Sequence, residues 1–204
     1  MIYGSLPEDL GLIDLTPTEM MFWQYCPIST PESKILIPPN LEYFRPIVDA
    51  VIERDLAMLI DGYMYLTAKR LWVEGGYIGN RPGWHSDGFG TDDINYIWYD
   101  RAPTDFIEGH FRLPTDCDES MQEMERIADN SIIYRYPDKH LLRLDQRVIH
   151  RSPIYFESGM RTFVKISLSK EKYNLLGNSI NHQLPEKFDL KPRRIDRNHP
   201  VQND

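Results

Sequence analysis

A histidine and an aspartate two residues apart, His85 and Asp87, form the first group of side chains suited to bind a metal ion. In an extended backbone, side chains at positions i and i+2 project to the same side, so both groups can reach one ion. The pattern also arises readily by chance in a chain with six histidines and 31 acidic residues. Taken alone, it fits a surface histidine beside an acidic turn equally well.

A third candidate ligand, His150, follows the apolar pair Val148 and Ile149 at the end of a predicted strand. Two histidines and one carboxylate occupy one face of an octahedral ion and leave other positions open. This donor set suits Fe(II) and O2 chemistry better than a structural zinc site, which needs four protein ligands. Alone, His150 fits a buried, hydrogen-bonded histidine; together with His85 and Asp87 it predicts a metal site.

Two basic residues, Arg161 and Lys165, alternate with Phe163 and Ser167 onto one face of the next predicted strand. A cation that points into a protein core is unfavourable unless an anion meets it. A dicarboxylate is a suitable anion, because a guanidinium binds a carboxylate through two parallel hydrogen bonds, which a lysine does not reproduce. The alternative is an edge strand whose charges are solvated.

The elements that must position these residues are mostly short strands. Apolar residues recur at spacings of three and four over residues 41–60, which predicts an amphipathic helix with Asn40 as its N-cap and Gly62 as its stop. Alternating and β-branched residues predict strands, and one acidic segment predicts a short helix. The strands are expected at Tyr63–Val73, Ile94–Tyr99, 104–107, 131–136, His140–Leu144 and 161–168, and the short helix at 118–129.

We expect one domain over residues 1–204. Within it, residues 1–39 form an irregular N-terminal arm able to add an edge strand, 40–62 a supporting helix, 63–170 a barrel core and 185–204 an extended tail. Short antiparallel strands that are separated by turns and preceded by a helix favour a jelly-roll or cupin-like barrel.

Composition narrows the class of partners. The formal charge of −8 disfavours bulk nucleic-acid binding, which requires an excess of lysine and arginine. The only cysteines, Cys26 and Cys117, are far apart in sequence and indicate reduced thiols in a cytoplasmic protein. No apolar run approaches the roughly 20 residues that a membrane-spanning helix needs, so no membrane association is expected.

The spacing of these residues resembles that of the Fe(II)/2-oxoglutarate-dependent oxygenase superfamily. The likeness rests on His85-x-Asp87, the distal His150 and the basic Arg161 eleven positions later. It extends over residues 63–168, about half of the chain. It implies a mainly β fold with flanking helices, arranged as a double-stranded β-helix (jelly-roll) barrel.

The resemblance also implies roles for individual residues. His85, Asp87 and His150 would bind Fe(II). Arg161 would bind the distal carboxylate of the cosubstrate 2-oxoglutarate, with Lys165 as the alternative anchor. With O2, such an enzyme couples the decarboxylation of 2-oxoglutarate to succinate with hydroxylation of a substrate, here a small molecule or a protein side chain. Two other functions remain open: a cupin-type isomerase or lyase without 2-oxoglutarate, and a non-catalytic β-barrel binding module.

Overall fold

The computed structural model describes residues 1–31, 33–78 and 82–192, and the strands in these ranges form two antiparallel sheets. The strands are β1 (Glu8–Leu12), β2 (Met21–Ser29), β3 (Tyr63–Val73), β4 (Ile94–Tyr99), β5 (Asp105–Ile107), β6 (Ile133–Tyr134), β7 (His140–Leu144), β8 (Ile149–Arg151) and β9 (Gly159–Ser169). The helices are α1 (Arg45–Asp55) and α2 (Cys117–Ala128), and two 3-10 turns, Pro39–Phe44 and Leu56–Leu59, flank α1.

The larger sheet has six strands in the order β1-β7-β4-β9-β3-β2, and the smaller has three in the order β6-β5-β8. Within the described ranges no strand pairing joins the two sheets. The fold is therefore mainly β with two helices, as predicted, but the strands do not close into one hydrogen-bonded barrel. None of the described helices has the length and apolar character that crossing a bilayer requires.

Strand β9 lies in the interior of the large sheet, where it pairs with β3 over eleven residue positions and with β4 on its other side. Its side chains alternate as predicted. Val164, Ile166 and Leu168 are fully buried against a core that includes residues of α1, and burial of each contributes about 1.5–3 kcal/mol. Arg161 and Lys165 lie on the opposite face. The predicted alternative, an edge strand with solvated charges, is therefore wrong.

The helical segment at 40–62 is divided into three pieces rather than one continuous helix. Pro46 lacks an N–H group and is tolerated only in the first turn, so the α-helix begins at Arg45. Asn40 does not cap the helix as predicted. The residues at the two N-cap positions are Pro38 and Phe44, and neither forms a side-chain cap hydrogen bond. The α-helix ends at Asp55, whose carboxylate accepts a hydrogen bond from Arg143 of β7.

The N-terminal arm is more regular than expected. It contains two strands, β1 and β2, which form the two opposite edges of the large sheet. The burial of β1 and β2 shows no clear alternation, and β1 contains Gly11 at positive φ. Of the expected tail, residues 185–192 contain no helix or strand, and 193–204 lie outside the described residues.

Candidate metal centre

The two sequence-distant histidines are brought together by direct backbone pairing. His85 forms an antiparallel bridge with His150 of β8, in which each backbone N–H donates to the other residue's carbonyl at 2.9 Å. Residues that face each other in such a bridge project to the same side of the sheet. Their imidazole rings consequently lie with centroids 4.6 Å apart.

The carboxylate of Asp87 completes the group. One ligand atom from each of His85, Asp87 and His150 lies within 4.8 Å of the others, and we call these residues the triad. Gly88 then turns the chain with φ +72°, and a Cβ at this position would come within 2.9 Å of Asp93 Cβ. Only glycine fits this turn without strain, so the turn defines where the extended ligand segment stops.

Each histidine of the triad is oriented by a backbone carbonyl. His85 Nδ1 lies 3.0 Å from the carbonyl oxygen of Gly83, and His150 Nδ1 lies 3.3 Å from that of Val148. A carbonyl oxygen only accepts hydrogen bonds, so Nδ1 carries a proton in both rings, and Nε2 is the nitrogen on the far side of each ring. This arrangement of an oriented imidazole, with the far nitrogen directed at a site, is typical of metal-binding histidines.

Lys165 is the cation that contacts the triad. Its Nζ donates a hydrogen bond to Asp87 Oδ2 at 3.0 Å, and only 11% of its side chain is exposed. Burial pushes the pKa of Asp87 upward, but Lys165 and the two histidines outweigh burial and hold that pKa well below its ordinary range. Burial pushes the pKa of Lys165 downward, but Asp87 and Tyr25 outweigh it and raise that pKa. The pair is therefore ionised.

Tyr25 holds Lys165 from the other side, through a hydroxyl that accepts a hydrogen bond from Nζ at 3.1 Å. The register between β2 and β3 shifts between Trp23 and Cys26, and Tyr25 has φ +45°, which is unusual for a residue with a side chain. Its backbone N–H donates to Thr67 Oγ1 at 2.9 Å. Bulges of this kind redirect a side chain, and here the bulge directs Tyr25 at Lys165.

Sequence reasoning missed Tyr25. The residue falls in the arm that was expected to be irregular, and its neighbours form no repeating pattern that marks the bulge. The one available signal is the break in alternation before Cys26, which by itself does not indicate a site.

The other predicted cation, Arg161, is 6% exposed and does not contact the triad. Its Nε and Nη2 donate to the carbonyl oxygens of Arg101 and Ala102, each at 3.0 Å. Ala102 has φ +56°, so the turn that presents these carbonyls is itself strained. Burial lowers the pKa of Arg161, although the group remains a cation because arginine pKa values are so high.

A pocket of about 140 Å³ opens beside Arg161. Within the described part of the chain, Arg161 Nη1 has no hydrogen-bond partner, and its guanidinium forms no ion pair with a carboxylate. Lys69 lines the same pocket, and burial, together with the charges on Lys165 and Arg161, lowers its pKa to about 8. The remaining lining residues are mostly apolar or aromatic: Leu71, Trp72, Val73, Glu74, Tyr77, Tyr155 and Phe163.

Comparisons with known proteins give structural similarity only. No protein-family model matches the sequence, and no curated protein matches it. The crystal structure of AviO1 from Streptomyces viridochromogenes Tue57 aligns with a TM-score of 0.44 and 14% identity, over 76% of this chain and 75% of that one. EvdO2 from Micromonospora carbonacea var. aurantiaca aligns with a TM-score of 0.37 and 14% identity, over 65% and 60%. A structure of EvdO2 complexed with 2-oxoglutarate aligns with a TM-score of 0.38 and 15% identity, over 71% of this chain and 76% of that one. Values this low do not assign the chain to a family.

Proposed function

We propose that this chain is a non-haem Fe(II) enzyme that couples the oxidative decarboxylation of 2-oxoglutarate to succinate with the hydroxylation of a substrate. The observation that carries the proposal is the convergence of two imidazoles and one carboxylate, with their ligand atoms within 4.8 Å of one another. Two of these residues, His85 and His150, are 65 positions apart in the sequence. A half-buried ion pair between Asp87 and Lys165, and the buried cation Arg161 on the same strand as Lys165, support it.

The donor set fits the proposed ion. His85 and His150 are each oriented through Nδ1 by a carbonyl, so Nε2 is the nitrogen that would bind the ion, and Asp87 is ionised. Three protein ligands of this type leave open positions for a cosubstrate and O2, unlike a closed structural site. Fe(II) bound there supplies the oxidative chemistry, while the protein's part is to orient the ligands and exclude water.

Arg161 is the residue we propose for the distal carboxylate of 2-oxoglutarate. Two of its nitrogens are fixed by the carbonyls of Arg101 and Ala102, and the residue lines the pocket. A guanidinium fixed in this way is preorganised for a carboxylate. Lys165, the alternative anchor, already donates to Asp87 and Tyr25, which favours a role beside the ion.

The finer fold assignment belongs to the same proposal. We infer that the two sheets are the walls of a double-stranded β-helix, with the triad at the side of the smaller sheet and the cations on the large one. The proposed substrate is a small molecule or a protein side chain rather than bulk nucleic acid, in a cytoplasmic setting.

Visible spectroscopy under anaerobic conditions tests the proposal. Fe(II) and 2-oxoglutarate added to the protein should give a weak charge-transfer band, because the keto acid and the ion contact each other directly. Metal binding without the band would favour a cupin-type isomerase or lyase, and absence of metal binding would favour a binding module. Succinate release, measured across a panel of candidate substrates, then identifies the substrate. His140→Ala is a matched control, since His140 pairs with Asp9 away from the triad.

A further inference from the structure

The positive and negative charges at the triad cancel each other, although the proposed site binds a cation. The histidines are neutral when Nε2 carries a lone pair, so the ion meets the single negative charge of Asp87. Lys165 Nζ lies 3.0 Å from that carboxylate and cancels its charge. The site that offers three ligands to a divalent cation therefore has a formal charge of zero.

Lys165 cannot easily turn away when an ion binds. The hydroxyl of Tyr25 holds Nζ at 3.1 Å, and the Tyr25 ring lies under it with its centroid at 5.0 Å. The strained backbone of Tyr25 is fixed in turn by Thr67 of β3. A charge this close to an ion, in a partly buried site, changes ionic affinities by more than about tenfold.

The same face of the sheet carries further positive charge. Thr67 pairs with Lys165 across β3 and β9, and further along the same face Lys69 lies opposite Phe163 and Arg161 opposite Leu71. The lowered pKa of Lys69 reflects its burial and the neighbouring charges of Lys165 and Arg161. Two carboxylates, Asp100 and Asp138, act on Arg161 at longer range. A dication alone adds to this positive charge, whereas a dication and a dicarboxylate together add none.

We propose that Lys165 is a built-in counter-cation of Asp87, which weakens the binding of a metal ion alone and strengthens the binding of the anionic cosubstrate. The inference rests on the proposed function. Its consequence is that the complex with metal alone is poorly populated, while metal and dicarboxylate bind as a pair. Lys165 thus positions Asp87 and sets the order of affinities without touching the substrate.

Binding measurements on Lys165→Gln test the proposal. Glutamine retains a hydrogen-bond donor for Asp87 and removes the charge. Electron paramagnetic resonance of Mn(II), a redox-stable stand-in for Fe(II), gives the dissociation constant without 2-oxoglutarate, and titration of the Mn(II)-saturated protein gives that of 2-oxoglutarate. We expect Mn(II) alone to bind at least about tenfold more tightly and 2-oxoglutarate at least about tenfold more weakly.

Two further variants separate charge from geometry. Lys165→Arg, which retains the charge, should leave both constants closer to wild type than Lys165→Gln does. Lys170→Gln removes a surface lysine that pairs with Asp61 and should change neither. Unchanged or weaker Mn(II) binding in Lys165→Gln would overturn the inference, because Lys165 would then only orient Asp87 or anchor 2-oxoglutarate. If the wild-type protein binds no Mn(II) even at saturating 2-oxoglutarate, the proposed function itself fails, which is a distinguishable result.

Discussion

Hydrogen bonds to the backbone determine what the individual side chains of this site are able to do. The carbonyls of Gly83 and Val148 fix the proton positions of His85 and His150, and those of Arg101 and Ala102 fix the plane of Arg161. In each case a neutral acceptor orients the group. The i, i+2 spacing and the charge alternation in the sequence marked the side chains of these residues as candidates, and their roles stay a prediction.

Arg161→Lys tests the role of the guanidinium. Lysine keeps the charge but lacks the planar group of donors that would bind two carbonyls and a carboxylate at the same time. We expect the dissociation constant of 2-oxoglutarate to rise about 10- to 100-fold, and that of Mn(II) alone to stay within about twofold. Isothermal titration calorimetry measures both. Unchanged affinity for 2-oxoglutarate would transfer the anchoring role to Lys165.

The structural elements differ in how well their sequences predict them. Strands β3, β4 and β7 are confirmed at their predicted bounds, because each has a run of apolar or aromatic residues ended by turn residues. β6 is reduced to Ile133–Tyr134 of the expected 131–136, since its exposed position gives it only β5 as a partner. The bulge at Tyr25 was not predictable, because it depends on contacts with Thr67 and Lys165 that exist only in the folded protein.

A partly buried ionic contact between Asp55 and Arg143 joins the end of α1 to the large sheet. Asp55 accepts hydrogen bonds from Arg143 Nε at 2.6 Å and from the Tyr96 hydroxyl, with 15% of its side chain exposed. Burial pushes the pKa of Asp55 upward, but Arg143 and Tyr96 outweigh it, and the net pKa lies below its usual value. The carboxylate therefore stabilises the fold above its unfolded pKa of about 3.9, and this contribution is lost as the pH falls through the folded pKa.

Asp55→Asn should accordingly lower the free energy of unfolding by about 2 kcal/mol at pH 7. The difference in the free energy of unfolding between the variant and wild type should reach its full size at neutral pH and shrink below about pH 4. Urea unfolding at a series of pH values measures it. Asp14→Asn serves as a control, since the Asp14 side chain is 71% exposed and pairs only with Lys139 at the surface. A deficit that is constant across all pH values would show that the contact is not ionic in origin.

At the scale of the whole molecule, the site lies between two sheets rather than within one element. His85 and His150 belong to the side of the small sheet, whereas Lys165 belongs to the centre of the large one, and Asp87 contacts it. A ligand that joins these groups therefore links the two sheets. The sequence indicated the participants, but it did not reveal that the sheets would stay separate or that the N-terminal arm would cover both edges of the larger one.

Ligand binding should consequently stabilise the entire domain. A metal ion and 2-oxoglutarate at about 100 times their dissociation constants raise the free energy of unfolding by roughly 2.7 kcal/mol per site. This corresponds to a rise in Tm of about 5–10 °C for a chain of this length. Differential scanning fluorimetry with Mn(II), with and without 2-oxoglutarate, measures the rise. A chelator should reverse it. No shift at saturating ligand would mean that the folded chain does not bind the pair.

The central claim is that the three side chains of the triad share one ion, and a titration with Mn(II) in the presence of saturating 2-oxoglutarate tests it most directly. The account predicts one ion per chain, and a loss of affinity of at least about 100-fold when any one of His85, Asp87 and His150 is replaced by alanine, whereas His140→Ala binds normally. Unchanged stoichiometry and affinity in any one of these three variants would contradict it.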